Sequence, residues 1–271
     1  LVANGTPDVR TLARELAGAH GVVLDSAAAF ATATDAAKPA AERIACLMQL
    51  AQDKDARLQQ AVDSALASND AALRAQGRSV LARMDPDRGV PLLIAALERG
   101  STAEQQAAIK ALARAETPLA RAAIAAQADR LVAGTLPRPL QVDVIEVIEA
   151  DASLKDRAGA WRAALPSGDP DAAWMICLEG GDVDAGRHIV NYHSAAACLR
   201  CHTVEGTGGH AAPPLAGTAS RFDRKGLLLS LVTPNAHVAE GFGPVSAMPA
   251  MGTLLTPREI RDVVEFLTTL K

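Results

Sequence analysis

Long apolar runs, clustered basic charge and paired cysteines are all scarce in this 271-residue chain. A bilayer span needs about 20 consecutive apolar residues, and no stretch here comes near that. Lys and Arg are scattered, and 27 of them against 31 Asp and Glu give a net charge of −4. That pattern argues against a nucleic-acid surface, which concentrates basic charge on one face. Catalytic constellations are also missing. Ser64, Ser68 and Ser79 have no histidine near them in sequence and no nucleophile-elbow glycines. The glycine-rich Gly206–Gly209 lacks the strand and helix of a nucleotide loop. Aromatics are few, and Trp161 and Trp174 stand nearly alone near the end of the alanine-rich part.

Only four cysteines occur, and two of them form the pair in Cys198-Leu199-Arg200-Cys201-His202. This is C-x-x-C-H, the attachment pattern of a c-type haem. Two thiols at that spacing can each bond one vinyl group of a porphyrin. The histidine that follows can turn its imidazole onto the iron. A zinc site or a redox dithiol is the alternative. A structural zinc site wants a second ligand pair, yet Cys46 and Cys177 have no paired neighbour. A thioredoxin-like dithiol follows an apolar strand, whereas His193-Ser194-Ala195-Ala196-Ala197 precedes this pair. Cys46 and Cys177 read as buried thiols, and sequence does not judge a disulfide between them.

A haem iron has a sixth position. Met248 and Met251 lie in a short Pro/Gly loop, Ser246-Ala247-Met248-Pro249-Ala250-Met251-Gly252. A thioether is a soft ligand that raises the reduction potential, and an adjacent proline stiffens the loop. One ligand and one packing methionine is the expectation. His188, His193, His210 and His237 are further candidates from the residues alone.

Residues from about Gly181 onward resemble a class I cytochrome c domain. More narrowly they resemble the haem-binding domain that ends large planctomycete- and verrucomicrobia-type proteins, which join a sugar-dehydrogenase-like propeller, HEAT-type repeats and a terminal cytochrome c. The matching pieces are Gly181–Arg187, CLRCH, Gly206–Gly209, Pro213-Pro214-Leu215-Ala216-Gly217, Thr233-Pro234-Asn235, Gly241-Phe242, Met248-Pro249 and Leu255–Ile260. The resemblance implies Cys198 and Cys201 as covalent haem anchors, with His202 and Met248 as axial iron ligands. Met248 fits because the ligand methionine of such domains stands directly before proline. Pro213 and Leu215 resemble residues lining the haem, with the Pro213 carbonyl orienting His202. Two departures stand out. Relatives often carry a small β-rich insertion after the Gly-Phe stretch, whereas Gly241-Phe242-Gly243 runs straight into Pro244, so the domain is compact or a segment is missing near 243–244. Val190 stands where relatives are often aromatic, with Tyr192 or Phe266 as replacements.

The local pattern agrees with a small helical domain. Asp184–Tyr192, Leu227–Leu231 and Thr256–Leu270 read as helices. In the last, Thr256, Pro257 and Glu259 form an N-terminal capping box with proline at the first helical position. Ile260, Val263, Val264, Leu267 and Leu270 make its apolar face. From Gly181 the chain carries eight basic and eight acidic residues, a neutral balance that offers no obvious steering field.

Before this domain, from about Pro7 to Pro166, consecutive amphipathic helices are expected. Ala40–Gln52, Ala72–Met84, Ala103–Ala115 and Pro139–Ala150 start 31 to 36 residues apart. Gly89–Leu97 and Leu119–Leu131 are their partners, and Asp85-Pro86, Gly100-Ser101 and Thr117-Pro118 are joints. That period predicts a HEAT- or armadillo-like arm, with an irregular helical bundle as the alternative. The expected fold is therefore all-α. A repeat arm over residues 1–178 precedes a cytochrome c domain over 179–271.

The expected activity is single-electron transfer through one covalent haem c, with redox partner proteins: a dehydrogenase donor and a respiratory acceptor. The alternative is a haem-bearing interaction scaffold, or a redox or gas sensor. No catalytic site of the chain's own is visible. Haem attachment of this kind takes place outside the bacterial cytoplasm, so the chain is expected to be exported, to the periplasm or beyond. Leu1 and the residues after it do not read as a signal peptide. The expectation is a processed chain or the C-terminal portion of a longer product.

Overall fold

The computed structural model describes residues 25–271. The chain divides into two compact units after Ile124. The expected start of the arm at Pro7 lies outside the described residues.

The first unit is a succession of packed helices: α1 Ser26–Thr34, α2 Ala40–Gln52, α3 Leu58–Leu66, α4 Ala71–Met84, α5 Pro86–Arg99 and α6 Thr102–Arg114. Asp85 explains why α5 begins earlier than Gly89. It ends α4 and then caps α5, its carboxylate accepting from Arg88 N, with Pro86 at the first helical position. Ser101 and Glu104 form a capping box on α6. Each helix packs on its sequence neighbour, and α1, α2 and α4 also pack on α3, α4 and α6 respectively. Leu47, Leu50, Val62, Leu73, Val80 and Leu81 fill the core between them.

Glu104 is the polar hub of this unit. It is buried, and accepts from Arg74 Nε at 3.1 Å and from Arg78 at 2.8 Å. Arg74 also donates to the carbonyls of Ser68 and Asn69, which ties the α3–α4 turn to α6. Burial alone would raise the Glu104 pKa. The bonds from Arg78 and from the Ser101 backbone and hydroxyl outweigh it, bringing the value to about 2.

The division between units falls within α7, Pro118–Val132. The second unit continues with α8 Arg138–Ala150, α9 Lys155–Ala163, a 3-10 segment Ala172–Leu178, α10 Val183–Tyr192, α11 Arg224–Val232 and α12 Pro257–Leu267. One departure from an all-helical fold is a minimal hairpin, β1 Thr203–Val204 with β2 Thr207–Gly208. Glu205 and Gly206 turn it, with φ of 47° and 80°. Two positive φ values in a row suit the twist of a two-residue hairpin.

Helix α12 is the hub here, packed by α8, the 3-10 segment, α10 and α11. Its capping box forms as expected: Glu259 accepts from Thr256 N at 2.8 Å and the Thr256 hydroxyl accepts from Glu259 N at 3.3 Å. Ile260, Val263, Val264 and Leu267 are buried. Helix α10 crosses α12 at Gly186, where a Cβ would stand 2.0 Å from the Asp262 carbonyl oxygen. Phe266 is fully buried at this crossing, under the Arg187 guanidinium at 4.9 Å, whereas Tyr192 is 72% exposed. Phe266, not Tyr192, is thus the buried aromatic of this crossing.

The N-terminal half of α12 also carries a buried ionic cluster. Asp143 of α8, 0% exposed, accepts from Arg258 and from Arg261, each at 2.7 Å. Arg258 also pairs with Glu146, and Arg261 reaches the Pro139 carbonyl at 3.3 Å. Helix α8 and the 3-10 segment thus share a core with the residues expected to form the haem domain.

Removing one partner of a buried ion cluster leaves uncompensated charge. Asp143→Ala strands Arg261, which is 3% exposed, and is expected to destabilise the second unit by about 3 kcal/mol or more. Urea unfolding read by tryptophan fluorescence tests this, since Trp161 and Trp174, the chain's two tryptophans, both lie in this unit. A second prediction concerns acid. The folded pKa of Glu104, about 2, lies below its ordinary 4.5, so its contribution is complete above pH 4.5 and is lost as pH falls towards 2. Glu104→Gln should flatten that segment of the acid-unfolding curve, measured by amide exchange in α4 and α6.

Candidate haem site

The C-x-x-C-H residues occupy a 3-10 turn, Cys198–Arg200, that runs on from α10. Ala197 enters the turn at φ 43°, a left-handed backbone that a residue with a Cβ adopts only under surrounding constraint. The Cys198 carbonyl accepts from His202 N at 2.9 Å, and this folds the motif back on itself. The hairpin then returns the chain. Thr203 Oγ1 donates to the Gly209 carbonyl at 2.7 Å, and Ala212 N and Leu215 N donate to the carbonyls of Cys201 and Thr203. Gly208, at φ 122°, passes so close to the His202 carbonyl that a Cβ would stand 2.1 Å from it.

These bonds lay the Pro213 carbonyl against the His202 ring, with 2.7 Å between the oxygen and Nδ1. A carbonyl oxygen only accepts, so Nδ1 carries the proton. The neutral ring then has its lone pair on Nε2, the nitrogen available to a metal. The carbonyl also makes the imidazole a stronger donor.

A cavity of about 460 Å³ opens beside this ring. Cys198, Cys201, His202, Pro213, Leu215 and Met248 all line it. The remaining wall is largely apolar and includes Phe222, Leu227, Leu231, Pro234, Met251 and Leu267. Met251 is buried in the core at the start of a short turn, Met251–Thr253, leading to α12. Met248 is half-buried, with its N–H donating to Ser246 Oγ at 3.2 Å, and the N–H of Ser246 donates to Asn235 Oδ1 at 2.8 Å. The Asn235–Ser246–Met248 bonding was not legible in the sequence, where only the Met-Pro pair marked the loop.

Of the other candidate histidines, His237 lines the cavity, edge-on to Phe222 at 5.3 Å. The rest have other partners. His188 packs at a tilt against Tyr192, His193 Nδ1 accepts from Ala196 N at 3.1 Å, and His210 Nδ1 sits 3.3 Å from the Thr203 hydroxyl.

The residues present fit a haem c: two thiols and a tautomer-fixed imidazole stand at an apolar cavity with a thioether in its wall. They do not suit the zinc alternative. Among the described residues no group of three or more His, Cys, Asp and Glu could hold a metal ion.

The four thiols differ in environment. Burial raises the Cys177 pKa to about 12, and its Sγ lies 3.2 Å from the Pro257 carbonyl. Burial also pushes Cys198 up, whereas Cys201 is exposed. Thiolate is the reactive form. In the haem-free chain, an alkylating reagent at neutral pH should therefore modify Cys201 first and Cys198 more slowly. Cys46 and Cys177 should react only on unfolding. Peptide mass mapping over time reads the order, and early labelling of Cys177 would contradict it.

Among the described residues no helix is long and apolar enough to cross a membrane. A search of curated proteins and of solved structures returns no match. A family model, Cytochrome c, matches residues 189–271. The C-terminal part of this chain is a cytochrome c domain, built for haem-based electron transfer with covalently bound haem c as its cofactor.

Proposed function

We propose that the chain is a mono-haem electron carrier whose iron is held between His202 and Met248. The observation that carries this reading is the 2.7 Å contact of His202 Nδ1 with the Pro213 carbonyl, on the wall of the same cavity as Met248. Cys198 and Cys201 would hold the porphyrin through thioether bonds. When bound, haem supplies a one-electron Fe(II)/Fe(III) couple.

The chain's own residues set the conditions for that couple. Pro213 fixes the His202 tautomer and strengthens the ring as a donor. The Met248 thioether is neutral and soft, which favours the reduced state and raises the potential. Leu215, Leu227, Leu231 and Leu267 exclude water from the cavity and so disfavour additional charge there. Neither state requires a proton to be moved at a wall residue, which suits a carrier more than a catalyst.

Within the second unit, residues 179–271 make up the haem domain in this reading, and the helices before it form a HEAT- or armadillo-like docking arm. The regular start-to-start spacing of the arm helices supports that reading. Helices packed on successive neighbours in the first unit support it as well. The partners would be an exported dehydrogenase as donor and a respiratory carrier as acceptor, in the periplasm or another exported compartment.

The test is spectroscopic. The oxidised protein should show the weak red absorption band of sulfur bound to ferric iron, and Met248→Ala should abolish it while the attached mass of one haem persists. A Met248→Ala protein that keeps the band overturns the ligand assignment. Rapid binding of carbon monoxide by the reduced wild-type protein would instead favour a gas-sensing role.

A further inference from the structure

The loop carrying Met248 is held from two sides by a short segment that lies outside residues 189–271, the part matched by the cytochrome c family. That segment runs from Asp171 into the 3-10 turn Ala172–Leu178. On one side, the indole of Trp174 lies against Gly252. A Cβ at Gly252 would stand 2.4, 2.8 and 3.2 Å from three atoms of the ring, so the residue is a seat that only glycine leaves open. Gly252 is in the turn Met251–Thr253, directly after the Met248-Pro249-Ala250 stretch.

On the other side, the Thr233 hydroxyl donates to the Asp171 carboxylate. Thr233 begins the Thr233-Pro234-Asn235 turn, whose Pro234 is buried and lines the haem cavity. Asn235 Oδ1 accepts from Ser246 N at 2.8 Å, and Ser246 Oγ accepts from Met248 N at 3.2 Å. An unbroken run of contacts thus leads from Asp171 to the backbone of Met248. Asp171 and Trp174 are themselves joined, the Trp174 N–H donating to the Asp171 carbonyl at 2.9 Å.

We propose that Asp171 and Trp174 are positioning residues for Met248, gripping the two ends of its loop so that the thioether stays presented to the cavity. The proposal rests on the reading of Met248 as the sixth ligand. Met251 buries the end of the loop in the core, but upstream of Met248 there is little to hold it: Gly241 to Val245 are exposed, and among the described residues the loop takes part in no strand. A ligand on such a loop is in place for only a fraction of the time set by its anchors. Any external ligand competing for the same coordination position gains apparent affinity as that fraction falls.

The experiment uses the haem-loaded full chain and imidazole as the competing ligand. Trp174→Ala and Asp171→Ala should each keep the attached haem mass. Each should tighten imidazole binding to the ferric protein by about tenfold, the scale of one lost hydrogen-bonded anchor. Hydrogen exchange at the amides of Ser246 and Met248 should speed up by a similar factor of about ten. Asp171→Asn retains an acceptor for the Thr233 hydroxyl, and Trp174→Phe retains a flat ring, so both should recover most of the wild-type behaviour.

Wild-type imidazole affinity in both alanine variants overturns the proposal whenever Met248→Ala itself tightens imidazole binding. If Met248→Ala leaves imidazole binding unchanged, the ligand assignment has failed instead. The exchange rates of Ser246 and Met248 then decide alone whether this segment anchors the loop. Should Trp174→Ala not fold, Asp171→Ala and Thr233→Val, which remove one hydrogen bond at the edge of the network, distinguish the same two outcomes.

Discussion

At Gly186 the backbone of α10 lies against the Asp262 carbonyl of α12 with no room for a side chain between them. The cavity depends on this contact. The end of α10 leads into the turn that bears Cys198, Cys201 and His202, and the start of α12 follows the loop that bears Met248. The two walls that face the cofactor are therefore extensions of two crossed rods. Any residue larger than glycine at 186 would separate the rods and, with them, the histidine from the methionine. Phe266 fills the space beside the crossing, and the Arg187 guanidinium covers its ring.

Helix α12 has a second role in its N-terminal half. Arg258 and Arg261 share the buried carboxylate of Asp143, and Cys177 rests under the Pro257 carbonyl. Buried charge is expensive to desolvate and contributes little net stability compared with apolar packing. It is demanding about geometry, however, since two guanidinium groups must meet one carboxylate at hydrogen-bond distance. The cluster fixes the rotation of α12 about its own axis. That rotation decides which side chains the helix turns to α10 and to the cofactor cavity.

What the sequence made legible was what depends on neighbours along the chain. The Thr256–Glu259 capping box, the amphipathic period of α12, the bounds of Ala40–Gln52 and the C-x-x-C-H spacing each sit within a few residues of one another. Pro213 could be named from the resemblance, and its carbonyl does meet His202. Partnerships across long stretches of chain could not be read. Asp143 and Arg258 are separated by 115 residues, and on sequence alone each is a charged residue on a helix face. Trp174 and Gly252 were likewise a lone aromatic and a loop glycine. The hairpin at Thr203–Gly208 left no signal because two residues per strand are too few to show alternation. The compact division after Ile124 left none either, since the helical period continues across it unchanged.

The sequestered thiols bear on how such a chain matures. An unfolded chain exposes its four thiols alike, and a disulfide from Cys46 or Cys177 to Cys198 or Cys201 would take one member of the C-x-x-C pair out of use. Once α12 has closed over Cys177, that sulfur is withdrawn from exchange chemistry, while Cys201 remains open to solvent. In the folded chain Cys177 is thus withheld from competing with Cys198 and Cys201 for any thiol-reactive group.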